Sequence, residues 1–203
     1  SALNLSASQA GYHGTLPQSF VLTGHSAGGG LATLAAGDYV ADLGANTGAN
    51  QLKGVVMYDG VAISSSAFAS AIANLTSLSI PDYVVAAPPQ LWNLGGVTTT
   101  QLVNSYPGQF VGVELVNGSH VDAMLGNKPV LDFFSQVATQ FSPGGNTQGV
   151  YTLSTGWIDD FFTPGASPTN PTYGLYGLGT GGSYQGGGQY LSLGAATGIV
   201  LPA

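Results

Sequence analysis

Short apolar runs alternate with stretches of helical spacing over the first 141 residues. Residues 19–24, Ser-Phe-Val-Leu-Thr-Gly, predict a short buried strand. Residues 27–40 are rich in Ala and Leu and predict a helix, despite the glycines at its start. A second apolar strand is expected over 52–58, ending at Asp59-Gly60, and a short helix over 66–75. Residues 82–87 predict a third strand, stopped by Pro88-Pro89. A helix over 98–106 and a fourth strand over 110–115 follow. The turn Asn117-Gly118-Ser119 then leads to His120. Residues 129–141 predict a helix with Val130, Phe133, Phe134 and Val137 on one face. At the front, residues 1–12 predict a weak helix ended by Gly11 and Gly14.

Strands alternating with helices in this way give βαβ units. The expected fold class is α/β, a mostly parallel sheet with helices on both faces. The pattern changes after Phe141: residues 142–203 hold 15 of the 32 glycines and only two charged residues, Asp159 and Asp160. Tyr173, Tyr176, Tyr184 and Tyr190 are interleaved with glycine there. Two regions are therefore expected: a core over 1–141 and an irregular Gly/Tyr-rich extension or lid over 142–203.

Charge narrows the function classes. Only 5 % of residues are charged, with two lysines, no arginine and a formal net charge of −7. Phosphate backbones are bound through Lys and Arg, so nucleic acid is excluded as a partner. A surface built from Asn, Gln, Ser, Thr and Gly suits a secreted or cell-envelope location. With no cysteine there is no disulfide or thiolate site, and three scattered histidines offer no metal-ligating set. No cofactor is implied. No apolar run approaches the roughly 20 residues that span a bilayer.

The chemistry concentrates in Gly24-His25-Ser26-Ala27-Gly28. A Gly-x-Ser-x-Gly between a strand and a helix sets the serine on a sharp turn. The Ala27 N–H then lies at a helix N-terminus, where it can donate to an oxyanion. A serine hydroxyl needs a base. His120 lies beyond it in sequence, His25 is expected to point away from the serine, and His13 reads as a solvated loop residue. The acid that orients the base is expected to be Asp59, which ends a core strand. Asp82 begins its strand, Glu114 lies within one, and Asp122 is too near His120. Residues 88–93 contain no carboxylate. Trp92 either walls an apolar substrate pocket or is a plain core tryptophan.

Residues 19–141 resemble the α/β-hydrolase superfamily. Within it, Gly24-His25-Ser26-Ala27-Gly28-Gly29, Tyr58-Asp59-Gly60-Val61 and Ser119-His120-Val121-Asp122 are most similar to chlorophyllase-like and polyester-hydrolase-like esterases. The resemblance implies Ser26 as nucleophile, His120 as base and Asp59 as acid. It implies cleavage of an ester or lipid-like substrate, polyesters included. An acyltransferase or thioesterase with the same triad, or a non-catalytic surface protein on this scaffold, fits the same motifs. The superfamily has further strands and an oxyanion loop ahead of the nucleophile, and only 25 residues precede Ser26. The expectation is a C-terminal portion of a hydrolase, its N-terminal strands supplied by a separate segment.

Overall fold

In the strand Leu52–Tyr58, Leu52, Val55, Val56 and Met57 are all inaccessible to solvent. Successive strand residues face opposite ways, so both faces of this strand are covered. The computed structural model describes residues 8–14, 17–126, 128–169 and 186–202. In chain order the elements are β1 (Phe20–His25), α1 (Ala27–Leu43), β2 (Leu52–Tyr58), α2 (Ser65–Ser77), β3 (Asp82–Ala86) and α3 (Val97–Ser105). Then come β4 (Gly112–Leu115), α4 (Pro129–Ala138), α5 (Asn146–Phe162), β5 (Tyr190–Leu193) and β6 (Ala196–Val200).

The sheet has the order β1-β2-β3-β4-β6-β5. Strands β1 to β4 are parallel, and β6 and β5 are added as an antiparallel ribbon. The architecture is α/β, a mostly parallel sheet with helices on both faces. One core packs Val55, Met57 and Val84 of the sheet against Ala36 of α1, Phe68 and Ile72 of α2, and Leu102 of α3. The other packs Val56, Val85, Val113 and Leu115 against Val150, Leu153 and Trp157 of α5. Among the described residues, no helix is long and apolar enough to cross a membrane.

Two expectations differ from the structure. Residues 142–203 are not an irregular appendage in their described parts, because α5 builds the second core and β5 and β6 extend the sheet. The Gly/Tyr stretch 170–185 lies outside the described residues, as do residues 1–7 of the expected first helix, of which only Ser8 and Gln9 are seen as helical. The second difference is α4, which ends at Ala138 and not at Phe141; its apolar stripe faces outward and it buries no residue at all.

Candidate functional site

Because β1 to β4 run in parallel, the loops leaving their C-terminal ends gather on one edge of the sheet. Ser26 lies there, between β1 and α1, with φ 56° and ψ −128°. Left-handed φ is costly for a non-glycine residue, of order 1–3 kcal/mol, and persists only where neighbours enforce it. Here the enforcement is backbone hydrogen bonding. The Ser26 N–H donates to Tyr58 O at 3.0 Å, and its carbonyl accepts from Gly29 N at 2.9 Å and Val61 N at 2.8 Å. Small residues permit the tight path. A Cβ on Gly24 would lie 2.1 Å from the Gly28 carbonyl oxygen, and one on Gly30 would lie 2.3 Å from that of Val61. This close approach explains Gly30 in the first turn of the helix, where propensity alone disfavours glycine.

Asp59 follows β2 and is buried, with φ 43°. Its Oδ1 accepts from Ala87 N at 3.0 Å and from Asn93 Nδ2 at 3.1 Å. Its Oδ2 lies 2.6 Å from His120 Nδ1. His120 Nε2 lies 2.8 Å from Ser26 Oγ. An ionised Asp59 makes Nδ1 the protonated nitrogen and leaves Nε2 to accept from the serine hydroxyl. The three side chains thus form one hydrogen-bonded chain from carboxylate to hydroxyl. Such a chain can withdraw the hydroxyl proton and hold the resulting imidazolium. Ala27 is the first residue of α1, so its N–H has no partner within the helix and lies beside Ser26.

The turn carrying His120 is itself anchored. Asp122 is buried, and its Oδ2 accepts from Ser119 N at 2.8 Å and from Asn146 Nδ2 at 3.3 Å. Ser142 Oγ donates to its other oxygen. Burial pushes the Asp122 carboxyl up, and the Ser142, Ser119 and Asn146 donors pull it back. Asp122 therefore braces the turn and does not touch the imidazole. Glu114, on β4, is half-buried, and burial with the nearby Asp59 charge pushes its carboxyl up. Asp82 begins β3, at the opposite end of the sheet.

Three residues join the site without having been singled out for it. Asn93 is buried and holds Asp59 from the loop that contains no carboxylate. Gln90 Nε2 donates to Gly118 O at 3.3 Å, and its Oε1 accepts from His120 N at 3.4 Å. His25 does not stand apart from the site. Its Nε2–H donates to the His120 carbonyl at 2.6 Å, and the two rings are 4.8 Å apart. Trp92 is not a core residue; it is half-exposed, and its indole N–H donates to Ala138 O at 3.0 Å. The buried tryptophan is Trp157 of α5.

Residues 9–91 match the family model described as lipase (class 3). Over that stretch, from ahead of β1 to just past β3, the chain is similar to lipases of this class. The stretch contains Ser26 and Asp59 and ends before His120. Comparison with curated proteins and with solved structures gives no match.

Proposed function

We propose that the chain is a serine hydrolase that cleaves carboxylic esters of lipid-like character through an acyl-enzyme. The reading is carried by the hydrogen-bonded chain Asp59–His120–Ser26, with the serine at a left-handed turn on a helix N-terminus. In the first half-reaction His120 Nε2 takes the Ser26 proton as Oγ bonds to the ester carbonyl carbon. The carbonyl oxygen, now negative, accepts from the Ala27 N–H. Collapse breaks the bond to the alcohol, which leaves with the proton from Nε2. Water repeats the sequence on the acyl-enzyme and releases the acid and free Ser26. Asp59 holds the imidazole tautomer and stabilises its charged form throughout.

The half-exposed Trp92 stands at the edge of this site and serves as an apolar wall for the acyl or alcohol group. A secreted or cell-envelope location belongs to the same proposal, supported by the scarcity of charge.

The test is turnover of a short-chain chromogenic ester. Ser26→Ala should lower kcat/KM by on the order of 10⁴-fold or more, and should abolish labelling by a fluorophosphonate. Equal turnover by both proteins would sink the serine mechanism.

A further inference from the structure

Strand β4 carries a residue that its place in the sheet does not ask for. Val113 and Leu115 face the core under α5, so Glu114 between them stands on the opposite face, toward α3. Parallel strands covered on both faces read as near-continuous apolar runs, and the same face of β3 carries Val84 and Ala86. In register, Glu114 sits between Ala86 of β3 and Ile199 of β6. Its carboxylate is half-buried and has no hydrogen-bond or ion-pair partner among the described residues. Taking a charge partly out of water without a donor costs free energy that a partner would return.

The carboxylate lines a cleft of about 200 Å³ between α3 and the segment leaving β6. Thr99 and Thr100 of α3 line it too, and Pro89, Val103 and Leu201 give it apolar walls. Neither Ser26 nor His120 takes part in it. On this face the row from Glu114 runs on through Ile199 to Tyr190, which is 68 % exposed. The helical cover therefore stops beside the cleft, and a ligand has a way in.

The lining decides what fits. Its one charge is negative, on a chain of net −7, so an anion is repelled. One carboxylate and two hydroxyls fall short of the about six to eight oxygens that surround calcium. No cluster of three metal-ligating side chains occurs among the described residues. No aromatic ring lines the cleft, so it lacks the cage that holds a quaternary ammonium. A primary ammonium has three N–H donors, enough for the carboxylate and both threonine hydroxyls. The apolar walls suit a short alkyl chain, since pockets for drug-sized ligands begin at roughly 300 Å³.

We propose that this cleft is a binding site for a small primary alkylammonium group, held by Glu114 with Thr99 and Thr100, its alkyl chain against Val103 and Leu201. The site goes beyond the serine chemistry and does not rest on it.

The experiment is a titration of isotope-labelled protein with butylammonium chloride, read by amide chemical shifts. Saturating shifts at Thr99, Thr100 and Glu114 are expected. Glu114→Gln keeps the shape and removes the charge, and should weaken binding by at least about tenfold. Thr100→Trp fills the cleft from an exposed position, should weaken it as much, and decides the matter if the first variant does not fold. Tetraethylammonium has the same charge without N–H donors and should bind at least about tenfold more weakly than butylammonium. Shifts that never saturate would overturn the proposal. So would an equal response to the two cations, the mark of diffuse attraction to an acidic protein, or unchanged affinity in either folded variant. Nα-acetyl-lysine amide separates two sources of the group: tighter binding than butylammonium identifies a lysine side chain of a peptide, and weaker binding a free amine.

Discussion

Asp59 and Asp82 sit at opposite ends of the same sheet, and both are almost wholly buried. Their surroundings differ. Asp59 receives a backbone N–H, an amide and an imidazole, so both of its oxygens are engaged. Asp82 receives one hydroxyl, from Thr33 at 2.9 Å, and its Oδ1 has no partner among the described residues. Burial pushes the Asp82 carboxyl from 3.8 up to about 7, with the Thr33 hydrogen bond opposing. A full set of donors offsets the cost of burying a carboxylate's charge, and a buried carboxyl short of donors keeps its proton. The contrast separates a carboxyl suited to chemistry from one that is merely enclosed.

The sharpest way to break the contrast is at Asp59. Asp59→Asn keeps the shape and removes the charge that fixes the imidazole. It should lower kcat/KM on a soluble ester by about 10⁴-fold, through the wrong tautomer of His120. A rate within a few-fold of the parent would mean that Asp59 is structural too.

At Asp82 the same substitution should do the opposite kind of thing. The folded state keeps this proton up to about pH 7, while the unfolded chain loses it near 3.8. The folded state thus binds more protons in that window, so stability is greatest below it and falls as pH rises through it. The full loss is at most about 4 kcal/mol, from carrying the titration from 3.8 to about 7. Asp82→Asn removes the slope. Its Tm should exceed the parent's at pH 8, and the two should converge near pH 4. Esterase activity should stay close to that of the parent. A lower Tm for the variant at both pH values would show that the carboxyl itself is needed.

Asn93 tests what keeps Asp59 different. Asn93→Asp retains the side-chain oxygen that accepts from Gln90 N at 2.9 Å and Gly96 N at 3.0 Å. It replaces the donor to Asp59 with a second carboxylate. Losing a hydrogen bond to a charged group costs about 1.5–3 kcal/mol, so kcat should fall by about 10- to 100-fold. Two facing carboxyls share a proton more readily. The acid limb of the pH–rate profile should therefore move to higher pH, which a purely structural defect would leave in place.

Much of this site was legible in the sequence because its parts have signatures. Ser26 stands in a spaced glycine motif, His120 is the histidine beyond the fourth strand, and Asp59 ends a strand of apolar residues. Asn93 and Gln90 were not legible: an amide in a loop has no pattern that tells an orienting donor from a solvated one. The rest of the fold was hidden by composition. Glycine in residues 142–203 suggested irregular chain, but Gly149 lies inside α5, where a Cβ would come 3.1 Å from that of Ala196. There glycine allows a helix to lie close on a strand. The pattern of α4 gave a face and its spacing, but spacing does not say whether the face looks inward or outward. That depends on which polar groups find partners on the body, as Thr139 does on Ser119.

The smallest expected effect lies at His25, whose ring packs on His120 and which hydrogen-bonds to neither aspartate. His25→Phe keeps a ring against the imidazole and deletes the N–H that holds the His120 carbonyl at 2.6 Å. One such bond is worth about 0.5–1.5 kcal/mol, so kcat should drop by no more than about tenfold, with KM little changed. Burial lowers the His25 pKa, and the hydrogen bond to the His120 carbonyl opposes it. The folded state then holds fewer protons than the unfolded one below the ordinary 6.5, so the parent loses stability as pH falls through that value. His25→Phe lacks this loss. Its Tm relative to the parent should rise on going from pH 7.5 to pH 5, opposite in sense to the convergence expected for Asp82→Asn. A Tm difference that stays flat over this range would remove His25 from the titrating groups, and a fall in kcat beyond a hundredfold would make it part of the chemistry and not a brace for His120.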